Sequence, residues 1–421
     1  MMQTMEILPG VTLRCYTDHR FKQGCLSFQL IRPMTREESA LNALLPAVLL
    51  RGIRQYPDIR SITGRLDALY GASVGALVRR IGDYQTTGLH CGFMEDRFAL
   101  AGDKIFAPMV DLLRQFLTEP ILEKDGFCRD FVEGEKKNLI STIESELNDK
   151  RAYAAGKLLK NMCREDSFGL PRLGEAQDVA KITPAELYRH YQTILKTSPV
   201  ELFYVGSADI QTVAELVTPL FDGMDREPSP LPAQTPFRDA GGSHDAEEME
   251  ISQAKLCMGF TTPITNQSKD FAAMQVCNTI FGGGMTSKLF MEVREKQSLC
   301  YSIGSGYYGS KGILTISAGI DTEKESHVRQ EILTQLDACR RGNITQDELT
   351  AAKEALLSSL RGVTDSPGAI ENFYGTAALS GMDMTIPEYM AAVTAVTTEQ
   401  VARCAESIRS HSSFFLKGVT A

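Results

Sequence analysis

Hydrophobic and polar positions alternate along CLSFQLI (25–31) with the two-residue period of a half-buried strand. A helical period follows from Glu37 to Arg51, opened by Thr35 and Glu38 at capping-box spacing and stopped by Gly52. A second amphipathic stretch, Ile59–Leu69, leads into a strand-like TTGLHCGF (86–93). The same succession returns later in the chain. KLCMGF (255–260) has the strand pattern, Asp270–Phe281 the helical one, and Gly282–Gly284 is the stop. Ser287–Gln297 then predicts a second helix and GILTISAGI (312–320) the next strand. Each half continues into a helix-rich stretch, 101–165 and 323–362, and closes on a short apolar strand, VELFYVG (200–206) and SFFLKG (413–418). Repeated strand–helix–helix–strand units predict a duplicated α+β fold, each half an antiparallel sheet with helices packed on one face. Pro228, Pro230, Pro232 and Pro236 favour an extended spacer between the halves. They set the expected domains at 1–225 and 247–421, with a linker at 226–246.

A length of 421 residues fits two cores better than one. Hydrophobic residues at 43% and charged residues at 23% exclude a disordered or fibrous chain. A formal charge of −9 argues against nucleic acid as a partner, because phosphate binding needs clustered Lys and Arg. The opening residues MMQTMEILPGVTLRCY lack the basic and apolar regions of a signal peptide. The longest apolar run, Ala43–Leu50, contains Pro46 and is too short to span a bilayer, so no membrane partner is expected. Ten scattered cysteines without a C-x-x-C pair fit a reducing, cytoplasmic location and read as small buried apolar residues.

Candidate chemistry concentrates in GGGMTSKLFMEVREKQSLCY (282–301), where Arg294 and Tyr301 stand seven residues apart. No P-loop Lys-Ser/Thr follows the triple glycine, which reads as a helix stop and turn. His19, His90, His190, His244, His327 and His411 are not spaced to share a metal. Glu133, Glu135, Glu144 and Glu146 alternate with lysines as on a solvated helix face. No G-x-S-x-G hydrolase motif is present.

GGGMTSKLFMEVREKQSLCYSI resembles the second-half signature of the pitrilysin/insulinase family of zinc peptidases, in its two-domain branch that includes mitochondrial processing peptidase. DSFGLPRLGEAQDVAKITPAELYRHYQTILKTSPVELFYVGSAD (166–209) is similar to the segment closing that family's first half, and ITQDELTAAKEALLSSL (344–360) to a late helix of its second. The resemblance implies two such domains facing each other across a cavity. Activity in the family rests on an inverted H-x-x-E-H motif, whose two His bind zinc and whose Glu is the general base, with a distant Glu as third ligand. Counting back from Arg51–Gly52 puts Ala43 and Ala47 at the His positions and Pro46 at the base. Aligning Glu135 puts Thr142 at the third ligand, with Glu144 and Glu146 as other matches. This chain is therefore expected to bind no metal and to be inactive alone. Pro46 also removes a helical N–H and predicts a kink costing about 3 kcal/mol unless something compensates.

The family's Arg and Tyr, which reach across the chamber from the half opposite the zinc, correspond to Arg294 and Tyr301. The implied function is that of a zinc-free subunit paired as a heterodimer with a homologous H-x-x-E-H chain, which supplies the zinc, on a peptide or unstructured polypeptide substrate. Paired bacterial members of the family are associated with modification of elongation factor P. The alternative is a non-catalytic scaffold that holds a peptide or protein segment in the same chamber.

Overall fold

The computed structural model describes residues 2–124, 126–146 and 148–419, so the predicted domain ends at 1 and 421 lie outside it. The first half opens with strands β1 (Met2–Leu8), β2 (Val11–Thr17) and β3 (Gln23–Pro33), then helices α1 (Arg36–Leu49) and α2 (Ile59–Ala68). Strands β4 (Ser73–Ile81) and β5 (Tyr84–Met94) precede α3 (Phe106–Thr118) and a two-residue hairpin, β6 (Leu122–Glu123) with β7 (Gly126–Phe127). Helices α4 (Arg129–Ser145), α5 (Lys150–Met162), α6 (Ala176–Lys181) and α7 (Pro184–Thr197) lead to β8 (Val200–Gly206) and α8 (Ile210–Val217). The second half runs β9 (His244–Glu250), β10 (Ala254–Thr261), α9 (Phe271–Phe281), β11 (Ser302–Tyr308) and β12 (Ile313–Ile320). It finishes with α10 (Glu325–Arg340), α11 (Gln346–Val363), α12 (Pro367–Ser380), α13 (Ile386–Ala395), α14 (Thr398–Ser407) and β13 (Arg409–Val419).

Among the described residues, the first half's sheet has the order β1-β2-β8-β3-β5-β4 and the second half's the order β11-β12-β10-β13-β9. Reading the second backwards, β9-β13-β10-β12-β11 repeats β2-β8-β3-β5-β4, so the duplication is one of topology, with β1 an added edge strand. Each sheet is antiparallel except for one parallel pair, β2 with β8 and β9 with β13. β2 and β9 were not legible as strands, and they are the elements that make the sheets mixed.

Compactness does not follow the chain in two consecutive blocks. One unit comprises Met1–Glu144, Leu170–Ala233 and Thr364–Thr376; the other comprises Ser145–Gly169, Gln234–Val363 and Ala377–Ala421. The proline-rich stretch is irregular from 225 to 243 and is shared between them, its residues up to Ala233 in the first unit and those from Gln234 in the second.

In the first unit, alternation along the strands separates two sheet faces. Leu26, Phe28 and Leu30 of β3 and Leu202 and Tyr204 of β8 bury one face in a core shared with α1, α3 and α7. Ser27 and Gln29 point to the other face, where α12 lies. There the fully buried Glu371 accepts hydrogen bonds from Ser27 Oγ (2.8 Å) and Gln29 Nε2 (2.9 Å). The Arg79 guanidinium grips both its oxygens at 3.0 and 2.7 Å. Tyr374 packs its ring 5.9 Å from Tyr16 and 6.5 Å from Phe203.

The second unit repeats the device with α5. Ala154 and Leu158 are buried against Cys257 of β10 and Phe414 and Leu416 of β13. Met162 lies so close to Gly259 that a Cβ there would meet its sulfur at 2.7 Å. Glu247 of β9 accepts from Tyr153 (2.7 Å) and Lys157 (3.1 Å). The buried Lys311 pairs with Asp166 at 3.1 Å and donates to the Thr235 carbonyl at 3.0 Å, fixing the end of the proline-rich stretch.

α1 keeps one helical run through Pro46. Thr35 accepts from the Glu38 amide (3.3 Å), but Glu38 turns to Arg32, so the predicted box is only half formed. A proline at 46 leaves the carbonyl of Asn42, four residues earlier, without its helical donor. Thr87 Oγ1 of β5 supplies that donor at 2.7 Å. The compensation comes from the sheet, which is why the sequence alone predicts a kink. Thr87→Val keeps the shape and removes the donor. It should destabilise the protein by about 1–3 kcal/mol in urea unfolding, the cost of a buried unsatisfied carbonyl, whereas Thr87→Ser should retain most of the stability.

Candidate functional site

The four positions that the resemblance assigns to the family's zinc ligands and base lie in the first unit, on two helices. Ala43 and Pro46 are buried on α1 and Ala47 is half-buried; Thr142 is exposed on α4, its hydroxyl donating to the Asn138 carbonyl of its own helix at 2.9 Å. Ala and Pro side chains carry no lone pair, so this set does not fit zinc. Among the described residues no group of three or more His, Cys, Asp or Glu is placed to hold a metal. An ion pair joins the two helices instead, Arg51 to Glu135 at 3.3 Å, with the Arg51 guanidinium 5.8 Å from the Phe131 ring centre.

α1 is held from its other side by a polar network. Asn42 donates to Gln85 Oε1 (2.9 Å) and faces His190 Nε2 through its amide oxygen (2.7 Å). Gln85 passes its own amide protons to the carbonyls of Ser39 (3.1 Å) and Arg172 (2.7 Å). Burial is the main reason the His190 pKa falls to about 4, with Glu38 opposing and Arg32 reinforcing the shift. The ring is neutral and donates Nε2–H to Asn42.

Arg294 and Tyr301 lie in the second unit. The helix predicted over Ser287–Gln297 is a π-helix, Leu289–Lys296. Its buried residues Leu289 and Val293 are four apart, a spacing that fits either helix type, so the sequence carried no sign of the wider turn. The turn before it depends on close approach. A Cβ on Gly282 would meet Ser305 Oγ at 2.7 Å and Leu289 Cδ1 at 2.8 Å, and one on Gly283 would meet Thr279 Cα at 2.8 Å. The Gly282 amide caps α9 by donating to the Asn278 carbonyl at 2.9 Å.

Arg294 stacks its guanidinium 4.5 Å from the Phe290 ring centre and has one carboxylate neighbour, Glu295, at 3.4 Å. This fixes the plane of the group while its side chain stays 38% exposed. The segment leaves the π-helix through Ser298, whose φ of 51° is the left-handed conformation usual for glycine at a helix end. Its amide donates to the Arg294 carbonyl and that of Leu299 to Val293, both at 3.1 Å. Tyr301 then projects just before β11 and is 59% exposed. Its hydroxyl donates to Asp321 Oδ1 at 2.9 Å, and Lys324 Nζ lies 2.9 Å from Asp321 Oδ2. The Asp321 hydrogen bond, followed by its charge, raises the Tyr301 pKa, so the phenol is a protonated donor. Cys300 beside them is pushed up to about 11 by burial, despite the charges of Arg294 and Lys324, and is a neutral thiol.

Asp321 and Lys324 were missed by the sequence reading. The signal for Asp321 was available only through strand pairing: Ser302 opposite Gly319 brings the residue before β11 next to the residue after β12.

Comparison with known proteins adds a second line. Residues 181–356 match the family model described as Peptidase M16 inactive domain. A probable inactive metalloprotease of Bacillus subtilis, YmfF, is 28% identical over 409 residues, which is 97% of this chain and 96% of that one. Both matches support the resemblance to the pitrilysin/insulinase family, in its inactive type. A conserved protein from Enterococcus faecalis superposes with a TM-score of 0.92 at 27% identity, covering 100% of this chain and 99% of the other. A peptidase M16 inactive domain from Pseudomonas fluorescens shares the fold, with a TM-score of 0.81 at 19% identity and the same coverage. The chain is thus a homologue of inactive M16-like metalloproteases. Among the described residues, no helix is long and apolar enough to cross a membrane.

The neutral His190 has a consequence for stability. The unfolded chain takes up a proton on this residue below about pH 6.5, while the folded chain resists until about pH 4. The contribution of the neutral ring is therefore complete above pH 6.5 and is lost as pH falls towards 4, by about 3 kcal/mol at most. His190→Gln keeps a donor for Asn42 and does not titrate. Urea unfolding followed from pH 7 to 4 should show a shallower fall in stability for this variant than for the natural chain.

Proposed function

We propose that this chain is the zinc-free subunit of a pitrilysin-type peptidase and works with a homologous chain that carries H-x-x-E-H. The observation that carries the reading is the pairing of a half-buried, ring-stacked Arg294 with an exposed, protonated Tyr301, in a chain whose α1 has Ala43, Pro46 and Ala47 at the positions of ligands and base. The partner supplies the zinc. Arg294 holds a carbonyl of an extended peptide through several N–H donors. Tyr301 donates to the oxygen on which negative charge develops as the scissile carbonyl is attacked.

One observation favours a second reading, a peptide-holding scaffold without catalysis: the single proton of the Tyr301 hydroxyl is already given to Asp321. Co-purification from the native cell, followed by mixing of the two isolated chains, separates the readings. On the subunit reading a homologous H-x-x-E-H chain is recovered, and the mixture hydrolyses unstructured peptides that neither chain cleaves alone. Tyr301→Phe should then leave assembly intact and lower turnover by about 10²–10³-fold, the usual loss for one oxyanion donor. Assembly with full activity in Tyr301→Phe would remove the catalytic role and leave the scaffold.

A further inference from the structure

The hydrogen bond that favours the scaffold reading has a different meaning if Tyr301 is the oxyanion donor, and the inference below rests on that reading. We propose that Asp321 is the resting acceptor of the Tyr301 hydroxyl, and that it reserves this donor for an oxygen carrying negative charge. Asp321 acts through Tyr301 and is a positioning residue.

A phenol has one O–H proton, so it serves one strong acceptor at a time. Here the proton lies on the 2.9 Å bond to Asp321 Oδ1. Asp321 is itself anchored. Its Oδ2 is 2.9 Å from Lys324 Nζ, and Lys324 also donates to the Ser298 carbonyl at 3.4 Å, on the turn that leads from Arg294 to Tyr301. The carboxylate therefore stays in place when the phenol turns away. The ring is exposed, so that turn meets no packing barrier.

The choice of acceptor follows from charge. A hydrogen bond to an ionised oxygen is roughly twice as strong as one to a neutral oxygen. A peptide carbonyl in the ground state does not take the proton from Asp321. The oxyanion formed on attack matches the carboxylate in charge, and Lys324 weakens the carboxylate's hold by sharing it. The donor is thus delivered when the carbonyl becomes charged and withheld before, so the hydroxyl does not tighten binding of the uncharged substrate. The same carboxylate keeps the phenol protonated, because its charge opposes ionisation.

The test uses Asp321→Ala and Asp321→Asn in the full chain, alone and assembled with the zinc-bearing chain recovered by co-purification. Asp321 is half-buried and lies outside the core. In the isolated chain, a ring-labelled Tyr301 should ionise at lower pH in Asp321→Ala than in the natural chain. In the complex, Asp321→Ala frees the hydroxyl for the ground-state carbonyl, so KM should fall about 2–10-fold, the worth of one solvent-accessible hydrogen bond, with kcat not reduced. Asp321→Asn, which keeps an uncharged acceptor, should fall between. In a Tyr301→Phe background Asp321→Ala should change nothing, a coupling that a merely structural aspartate would not show. An unmoved Tyr301 titration overturns the proposal, because the bond is then not made in solution. An unchanged or raised KM beside a slow Tyr301→Phe enzyme overturns it too and leaves the subunit reading standing. A fully active Tyr301→Phe complex removes both.

Discussion

Each sheet in this protein has two faces to cover, and each half of the chain packs its own helices on only one. The other face is closed by a helix that the opposite half contributes, α12 for the first sheet and α5 for the second. Glu371 makes the first closure specific. A carboxylate removed from water costs several kcal/mol unless it is paired and hydrogen-bonded. Arg79, Ser27 and Gln29 meet that demand only when α12 sits in one register on the sheet. The second closure adds close approach, with Gly259 admitting Met162, to the ion pair of Lys157 with Glu247. Both devices make the two halves of the chain fold as interdependent parts.

α1 packs on the first sheet with Ala43, Pro46 and Ala47, the positions that the resemblance assigns to ligands and base, carrying no group that could hold a metal or move a proton. Pro46 is tolerated because Thr87 satisfies the carbonyl that the proline orphans. Asn42, Gln85 and His190 anchor the helix through a chain of hydrogen bonds. Arg51 and Glu135 tie its end to α4.

In the second unit the geometry around Arg294 and Tyr301 is that of groups kept ready rather than packed away. Arg294 lies over Phe290 on a π-helical turn, and the chain between the two residues passes through a strained Ser298. Backbone conformations of this kind persist where surrounding contacts over-determine them, and they concentrate at functional sites. Lys324 contributes to that determination by bridging Asp321 and the Ser298 carbonyl.

Period and punctuation along the chain were enough to find β3, α1, α2, β5, β8, β10, α9, β12 and β13, and hence the duplicated α+β fold. Each of these carries its own apolar alternation, cap or glycine stop. The donors of Arg294 and Tyr301 and the lack of any ligand atom at Ala43, Pro46 and Ala47 were likewise legible, because residue identity alone fixes what a side chain can donate or bind. What the sequence left open depends on partners distant along the chain. Strands β2 and β9 become strands by pairing in parallel with β8 and β13, and α5 and α12 reveal no preference for a sheet until that sheet exists. The Thr87 hydroxyl becomes a helix donor, and Asp321 the acceptor of Tyr301, only through strand register. Local periodicity sets which residues form an element; which groups meet across elements is decided by the tertiary structure, because hydrogen bonds and buried charges are satisfied by whatever lies within about 3 Å, however far away it stands in the chain.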